Sequence, residues 1–124
     1  MKICYIFLLH FIGDFLLQSR KMANRKSERP EYLIAHIAIV FAVMLLGGWV
    51  ILPFQDSFAL AAVAVFIHGL IDFFVWAGYR WWIKRTLPDF ARYEFWEDTK
   101  FYAALGLDQL LHYITIILVY GGML

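Results

Sequence analysis

Long apolar runs separated by short polar segments dominate the 124-residue sequence. The runs are close to the ~20 residues that an α-helix needs to cross the ~30 Å hydrocarbon core of a membrane. Because the connection after Pro53 is very short, the helices on either side of it should pack antiparallel. The pattern predicts an all-α membrane protein, a single domain over 1–124 whose four transmembrane helices form an antiparallel bundle. The predicted spans are about 2–19, 31–52, 57–79 and 101–120.

The polar segment between the third and fourth runs has a different composition. At about 80–98 it mixes Arg and Lys with Trp, Phe and Tyr. Such a mixture is typical of the lipid headgroup region, where aromatic rings and long cationic side chains both find a favourable environment. We therefore expect an amphipathic interfacial segment there. Basic aromatic patches also occur in nucleic-acid-binding proteins, but the neighbouring spans favour membrane lipids as partners and argue against nucleic acid.

Composition supports the membrane assignment. The chain is 63% hydrophobic and 19% aromatic, with a mean hydropathy of +0.67, whereas soluble domains are about 45–50% apolar. The single cysteine, Cys4, excludes an intramolecular disulfide and cannot alone build a thiolate metal site. The apolar start of the chain is interrupted by Asp14 and lacks a small-residue cleavage site, so we expect a retained helix rather than a signal peptide.

The basic residues predict an orientation. Ten of the eleven Lys and Arg lie within 19–31 and 80–100, and Lys2 is the exception. With an even number of spans, these two segments lie on the same side of the membrane. Because basic segments stay on the cytoplasmic side, we expect both termini outside and the chain integral to a bacterial inner membrane.

Each predicted span carries one histidine, and three of the four have an aspartate four residues away. Since 3.6 residues make one helical turn, residues at i and i+4 project from one face of the helix. An aspartate at a helix centre costs roughly 2.5–3.5 kcal/mol on insertion scales, so such residues indicate a functional site. The pairs are His10 with Asp14, His68 with Asp72, and Asp108 with His112, and the fourth histidine is His36.

The depths of these residues indicate one shared cluster. At about 1.5 Å per residue, all seven lie roughly 7–17 Å from the cytoplasmic end of their span, although the helices alternate in direction. Two glutamines are second-tier candidates for lining the site. Gln18 lies one further i+4 step beyond Asp14, and Gln109 neighbours Asp108, although glutamines near helix ends also suit the headgroup region.

Two interpretations of the cluster stay open. A hydrogen-bonded His and Asp can neutralise each other and act as structural polar contacts. We favour a bound divalent transition metal, because no Lys or Arg lies in the interior of a predicted span to supply a counter-charge, Lys2 being at the very end of the first. Mixed nitrogen and oxygen ligands suit Zn, Mn or Fe. Since seven donors exceed the ligand set of one zinc ion, either two ions share the cluster or one ion is held mostly by histidines while aspartates orient them.

Four motifs carry a resemblance to a known family. They are HFIGDFLLQSRKMANRKS at the start, LIAHIA around His36, HGLIDFF at 68–74 and DQLLHY at 108–113. The H-x-x-x-D-F-x-x-Q opening combined with the D-Q-x-x-H close resembles the domain of unknown function 3307 family, small integral-membrane proteins of bacteria and their phages. The resemblance covers nearly the whole chain. It implies a membrane protein with several spans and brings no activity with it.

The leading functional hypothesis is an intramembrane metal-dependent hydrolase acting on a lipid or lipid-linked substrate at the cytoplasmic leaflet. A metal ion activates water, and Asp14 or Asp108 would take the proton as catalytic residue. Amide, ester and phosphoester bonds are all open as substrates. The segment at 80–98 would form a lid or rim.

The rival hypothesis is a non-enzymatic membrane protein. It would carry metal ions or protons, or act as a bacterial or phage factor that binds another membrane protein. Four short helices are few for alternating access, so transport would require a homodimer. A structural cluster predicts satisfied polar pairs without a solvent path, whereas an enzyme requires an open coordination position and a cavity that reaches it.

Overall fold

The computed structural model describes residues 1–86 and 98–123, and all regular structure in these ranges is helical. The predicted all-α class is therefore confirmed. Helix α1 continues directly into a short π-helix, and a further short helix, α2, lies in the segment read from the sequence as a polar loop. The elements are α1 (Lys2–Phe11), the π-helix (Ile12–Leu16), α2 (Arg20–Arg25), α3 (Pro30–Gly48), α4 (Phe54–Thr86) and α5 (Thr99–Gly121).

The helix starts follow from local sequence. The side chain of Ser19 accepts a hydrogen bond from the backbone N–H of Met22 and caps α2. Pro30 occupies the first turn of α3, where a missing N–H costs nothing. Asp98 caps α5 by accepting from the N–H of Lys100. Ser and Asp are favoured at this position because their oxygen satisfies an N–H that has no partner within the helix.

The prediction of four spanning helices is wrong, since three helices in the described residues are long and apolar enough to cross a membrane: α3, α4 and α5. Helix α1 has 10 residues and the π-helix adds 5, which gives about 22 Å at 1.5 Å per residue against a core of ~30 Å. The apolar run to residue 19 overestimated the helix because the chain leaves helical geometry after the π-helix. An orientation based on an even number of spans therefore loses its basis.

Helix α4 is longer than its predicted span. It continues to Thr86, so the first part of the predicted interfacial segment, 80–86, is an extension of this helix. The remainder of that segment, 87–97, lies outside the described residues.

Two glycines allow close approach of the helices around the polar cluster. A Cβ added at Gly69 would lie 2.4 Å from Cδ1 of Ile37, and one at Gly13 would lie 3.1 Å from Cα of Val40. Helices in membranes pack closely where such small residues meet a neighbour. Because Gly69 follows His68 and Gly13 precedes Asp14, these contacts bring both ionisable residues against α3.

The apolar core lies to one side of the cluster. Ile6, Met44, Leu60 and Ile116 are each at most 2% exposed and belong to one contiguous group contributed by α1, α3, α4 and α5. Toward the other side, Arg80 of α4 pairs with Glu28 at 3.2 Å. This contact places the basic segment after the π-helix beside the basic end of α4.

Candidate metal centre and adjoining cavity

All seven ionisable residues singled out from the sequence are buried and lie in one connected cluster. None of them is more than 2% exposed. Their donor atoms form three overlapping groups, and within each group all the atoms lie within 4.8 Å of one another. Whether the cluster binds a metal stays a prediction. Its members are His10, Asp14, His36, His68, Asp72, Asp108 and His112.

Four donor atoms form the tightest group, two imidazole nitrogens and two carboxylate oxygens. Nε2 of His36 is 3.0 Å from Nε2 of His68. It is also 3.1 Å from both Oδ1 of Asp14 and Oδ2 of Asp72. Nε2 of His68 is 3.2 Å from the same Asp72 oxygen and 3.7 Å from the Asp14 oxygen. Ligands bound to a tetrahedral zinc ion at about 2.0–2.2 Å lie about 3.3–3.5 Å apart, so the four atoms have the spacing of one coordination shell.

Each of the two carboxylates in this group accepts a hydrogen bond through its outer oxygen. Oδ2 of Asp14 accepts a hydrogen bond from Nε2 of Gln109 at 2.8 Å, and Oδ1 of Asp72 accepts one from Nζ of Lys26 at 2.6 Å. The other oxygen of each carboxylate points into the four-atom group and accepts no hydrogen bond from a described residue. Metal-bound carboxylates are commonly oriented by a hydrogen bond to their outer oxygen. A cation at the centre of the group would supply the partner that the two inner oxygens lack.

The charges of the cluster also favour a bound cation. Asp14, Asp72 and Asp108 are buried, and Lys26, which is 5% exposed, is the cation beside them among the described residues. With the three carboxylates and the ammonium counted as ionised and the four imidazoles as neutral, two negative charges are left uncompensated. Because burying unpaired charge is costly, the cluster matches the charge of one divalent cation.

Lys26 is the functional residue that sequence reasoning missed. The prediction assumed that no cation reaches the cluster, and this is wrong, because Lys26 enters it from outside the predicted spans. Met22 and Lys26 are both buried and lie one helical turn apart. A cap at Ser19 followed by an apolar residue at i+3 and a lysine at i+7 was the available signal for a short helix with an inward face.

His10 and His112 contact His68 in different ways. Nε2 of His10 is 3.2 Å from Nδ1 of His68, on the side of the ring opposite to the four-atom group. The ring of His112 stacks on that of His68, with centroids 4.0 Å apart and planes inclined by 21°. Because an imidazole binds an ion in the plane of its ring, two stacked rings do not point to the same ion. His10 thus lies at the second ring nitrogen of His68, and His112 lies against the face of its ring.

The π-helix changes the partners of Asp14. Regular helical spacing would place His10 and Asp14 on one face, and α4 does place His68 and Asp72 in contact at 3.2 Å. The π-helix over Ile12–Leu16 contains Asp14 and makes a wider turn. Within the described residues, Asp14 accordingly contacts His36 and Gln109, while His10 faces His68. Short π-helices inside α-helices are frequent at functional sites.

The chain was compared with known proteins. A model of the family described as protein of unknown function (DUF3307) matches residues 3–124. The chain belongs to this family. The match confirms the resemblance carried by the histidine and aspartate motifs, and the DUF3307 description states no activity. Comparison with curated proteins and comparison with solved structures each gave no match.

A cavity reaches the polar cluster of this DUF3307 chain. Its volume is about 490 Å³, within the range of roughly 300–1,000 Å³ that is usual for small-molecule sites. Asp14, Lys26 and Asp108 line its polar end, and Phe15 and Leu105 contribute to its apolar walls. The cluster is therefore accessible from one side, as an active site requires.

Asp108 and the two second-tier glutamines lie at the polar end of the cavity. Oδ2 of Asp108 is 3.2 Å from the side-chain nitrogen of Gln109, which also donates to Asp14. The other oxygen of Asp108 accepts no hydrogen bond from a described residue, and the same holds for the side-chain oxygen of Gln18 when described donors are considered. Both oxygens are buried, so they lie behind the surface of the cavity.

Proposed function

We propose that this chain is an intramembrane metal-dependent hydrolase acting on a lipid or lipid-linked substrate at the cytoplasmic side of a bacterial inner membrane. One observation carries the proposal. Two imidazole nitrogens and two carboxylate oxygens share one coordination-sized group, and a cavity opens beside it. A cluster that served only as structural polar contacts would need no such opening.

In this proposal the residues that would hold a single ion are drawn from Asp14, His36, His68 and Asp72, and a catalytic ion would keep one further position open for water or substrate. Two nitrogen and two oxygen donors suit Zn best, and Mn or Fe accept a similar set. When bound, such an ion polarises a carbonyl or phosphoryl oxygen and lowers the pKa of bound water to about 7. His10, His112 and Lys26 position these ligands.

Asp108 is the proposed general base. It lines the cavity, and its Oδ1 has no hydrogen-bond donor among the described residues. The side-chain nitrogen of Gln109 contacts both Asp14, at 2.8 Å, and Asp108, at 3.2 Å. The base therefore lies next to a metal ligand, where it would take a proton from an attacking water. Of the two aspartates predicted to be catalytic, Asp14 is thus assigned to the ion and Asp108 to the proton.

The cytoplasmic side is assigned from the basic residues. The contact between Glu28 and Arg80 places both basic segments near one end of the molecule. Since Lys and Arg accumulate in cytoplasmic segments, we assign that end, together with the cavity, to the cytoplasm. A substrate would then enter from the inner leaflet.

The structure favours the enzyme over an ion or proton carrier. A carrier requires a path that continues beyond the cluster. Behind His10 and His112, Val40, Met44 and Ile116 surround a void of only about 10 Å³. Within the described residues the cluster therefore opens toward one side and is closed toward the apolar core.

Metal analysis of the purified full-length chain tests the proposal. After chelation and reloading with zinc in detergent, we expect about one equivalent of bound metal. Asp72→Asn and His36→Ala should lose it, whereas Asp56→Asn, which changes an exposed carboxylate at the start of α4, should retain it. Less than about 0.2 equivalents of zinc, manganese or iron in the unaltered chain would overturn the metal site.

A further inference from the structure

The cavity extends well beyond the metal-binding group. It is lined at one end by Asp14 and Asp108 and elsewhere by Glu28 and Arg80. Arg80 lies eight residues beyond Asp72 on α4, a rise of about 12 Å along the helix axis. The ligand that fits this space is therefore elongated, with one end at the cluster and the other near the pair of Glu28 and Arg80.

The walls between these ends are largely apolar. They include the side chains of Phe15, Trp76, Ile83, Phe101 and Leu105. Contact with such a surface favours a hydrocarbon chain. Nε1 of Trp76 is buried, so this residue contributes apolar ring surface to the wall.

The charges along the cavity balance without a ligand. Arg80 pairs with Glu28 at 3.2 Å. Lys26 and one divalent ion together offset Asp14, Asp72 and Asp108. Among the residues that the structure describes, no formal positive charge is left for an anionic ligand once the ion is bound. This step rests on the proposed metal site.

The balance of charges along the cavity favours uncharged substrates over anionic ones. A phosphate monoester carries about −1.5 to −2 charges at pH 7. Burying it at the cluster would leave that charge unpaired, at a considerable cost in free energy. A carboxylic ester or amide is uncharged and needs only polar partners, which the amides of Gln18, Asn24 and Gln109 offer at the cavity wall.

We infer that the cavity accepts an uncharged acyl amphiphile, an ester or amide whose carbonyl lies between Asp14 and Asp108 and whose chain packs along Phe15 and Leu105. In the hydrolysis, Asp108 takes a proton from water, and the water oxygen forms a bond to the carbonyl carbon. The bond from this carbon to the alcohol oxygen or amine nitrogen then breaks, and Asp108 returns the proton to that leaving atom. The products are a carboxylic acid and an alcohol or amine.

Competition binding tests the substrate class. Zinc-loaded full-length chain in neutral detergent is mixed with equal amounts of a monoacylglycerol and a lysophosphatidic acid of the same chain length, and bound ligand is counted by native mass spectrometry. We expect the uncharged lipid to be bound at least about 10-fold more often. Equal binding, preferred binding of the phosphate lipid, or no binding of either would overturn the inference.

A matched pair of variants tests the charge argument. Glu28→Gln removes one negative charge from a half-exposed carboxylate at the cavity, and should move the preference toward the phosphate lipid by about 10-fold. Glu31→Gln removes the same charge from an exposed residue that pairs with Arg29 outside the cavity lining, and should leave the preference unchanged. If the two variants behave alike, the charge balance does not set the specificity.

Metal content separates this inference from the proposed function. A chain that binds zinc and hydrolyses the phosphate lipid faster than the uncharged one overturns the inference and leaves the hydrolase proposal intact. A chain that binds no metal overturns both.

Discussion

Nζ of Lys26 lies 2.6 Å from Oδ1 of Asp72, and both side chains are almost completely buried. The lysine comes from the segment after α2 and the aspartate from the middle of α4. This ion pair therefore links the polar segment between α2 and α3 to the middle of α4. It also gives Asp72 one oxygen that is already paired and one that remains for the four-atom group.

The first prediction concerns this pair. Lys26→Met should destabilise the metal-free chain by about 3–5 kcal/mol, because it leaves a buried carboxylate uncompensated. Zinc should recover part of the loss by neutralising the same carboxylate. Thermal unfolding in detergent with and without zinc measures both effects. Lys21→Met, at an exposed position on α2, is the control, and an equal response of the two variants to zinc would contradict the coupling.

Substitutions at Asp108 and Asp72 should distinguish a loss of catalysis from a loss of metal binding. Asp108→Asn is expected to lower the rate of hydrolysis by about 10²–10⁴-fold, because it removes the proton acceptor, while bound zinc stays at the level of the unaltered chain. Asp72→Asn should lose the zinc itself. Loss of zinc in Asp108→Asn would assign this residue to the ion rather than to the proton.

Substitutions at His112 test whether this residue stacks on His68 or coordinates the ion. His112→Phe keeps an aromatic ring against His68 but removes both ring nitrogens, so zinc stoichiometry should be unchanged. His112→Ala removes the ring and should weaken zinc binding by about 10–100-fold, as expected for a residue that orients a ligand. Competition with a zinc-binding dye measures both affinities. A phenylalanine variant that binds no zinc would show that His112 is itself a ligand.

The close packing at Gly69 should control the geometry of the four-atom group. Gly69→Ala puts a methyl group against Cδ1 of Ile37, so that either this side chain changes rotamer or α3 and α4 move apart beside His36 and His68. We expect weaker zinc binding and a loss of about 1–3 kcal/mol in stability. Adding Ile37→Val, which removes the clashing atom, should restore much of both.

Gly78 is the matched control for this prediction. A Cβ at Gly78 meets nothing within 4 Å, so Gly78→Ala should leave zinc binding unchanged and slightly stabilise α4 through its better helix propensity. If Gly78→Ala and Gly69→Ala weakened zinc binding equally, the effect would come from glycine removal in general and not from helix separation.

The sequence was most informative where helices are regular. Long apolar runs predicted α3, α4 and α5, and i,i+4 spacing predicted the contact between His68 and Asp72 because α4 keeps α-helical geometry through both. The same rule did not describe His10 and Asp14, since the π-helix rotates the second residue away. Nothing in the residue pattern IGDFL distinguishes a π-helix from an α-helix, because both expose similar apolar faces.

Tertiary contacts explain the other differences. Lys26 lies in a polar stretch whose composition is that of a solvated loop, and its burial depends on α2 packing against α3, which brings its Nζ to Asp72 of α4. The number of spans was overestimated because the first predicted span ran to residue 19, whereas the helical backbone ends at Leu16. Hydropathy measures whether a residue tolerates lipid, and it does not measure where the backbone stops being helical.

The one-sided opening of the cluster sets an order of events. In the described residues, the cavity beside Asp14 and Asp108 is the approach to the four-atom group, and the opposite side is closed by the apolar core. An ion and an amphiphile would therefore use the same entrance. The ion has to arrive first, and a bound amphiphile would then shield it from chelators until the product has left.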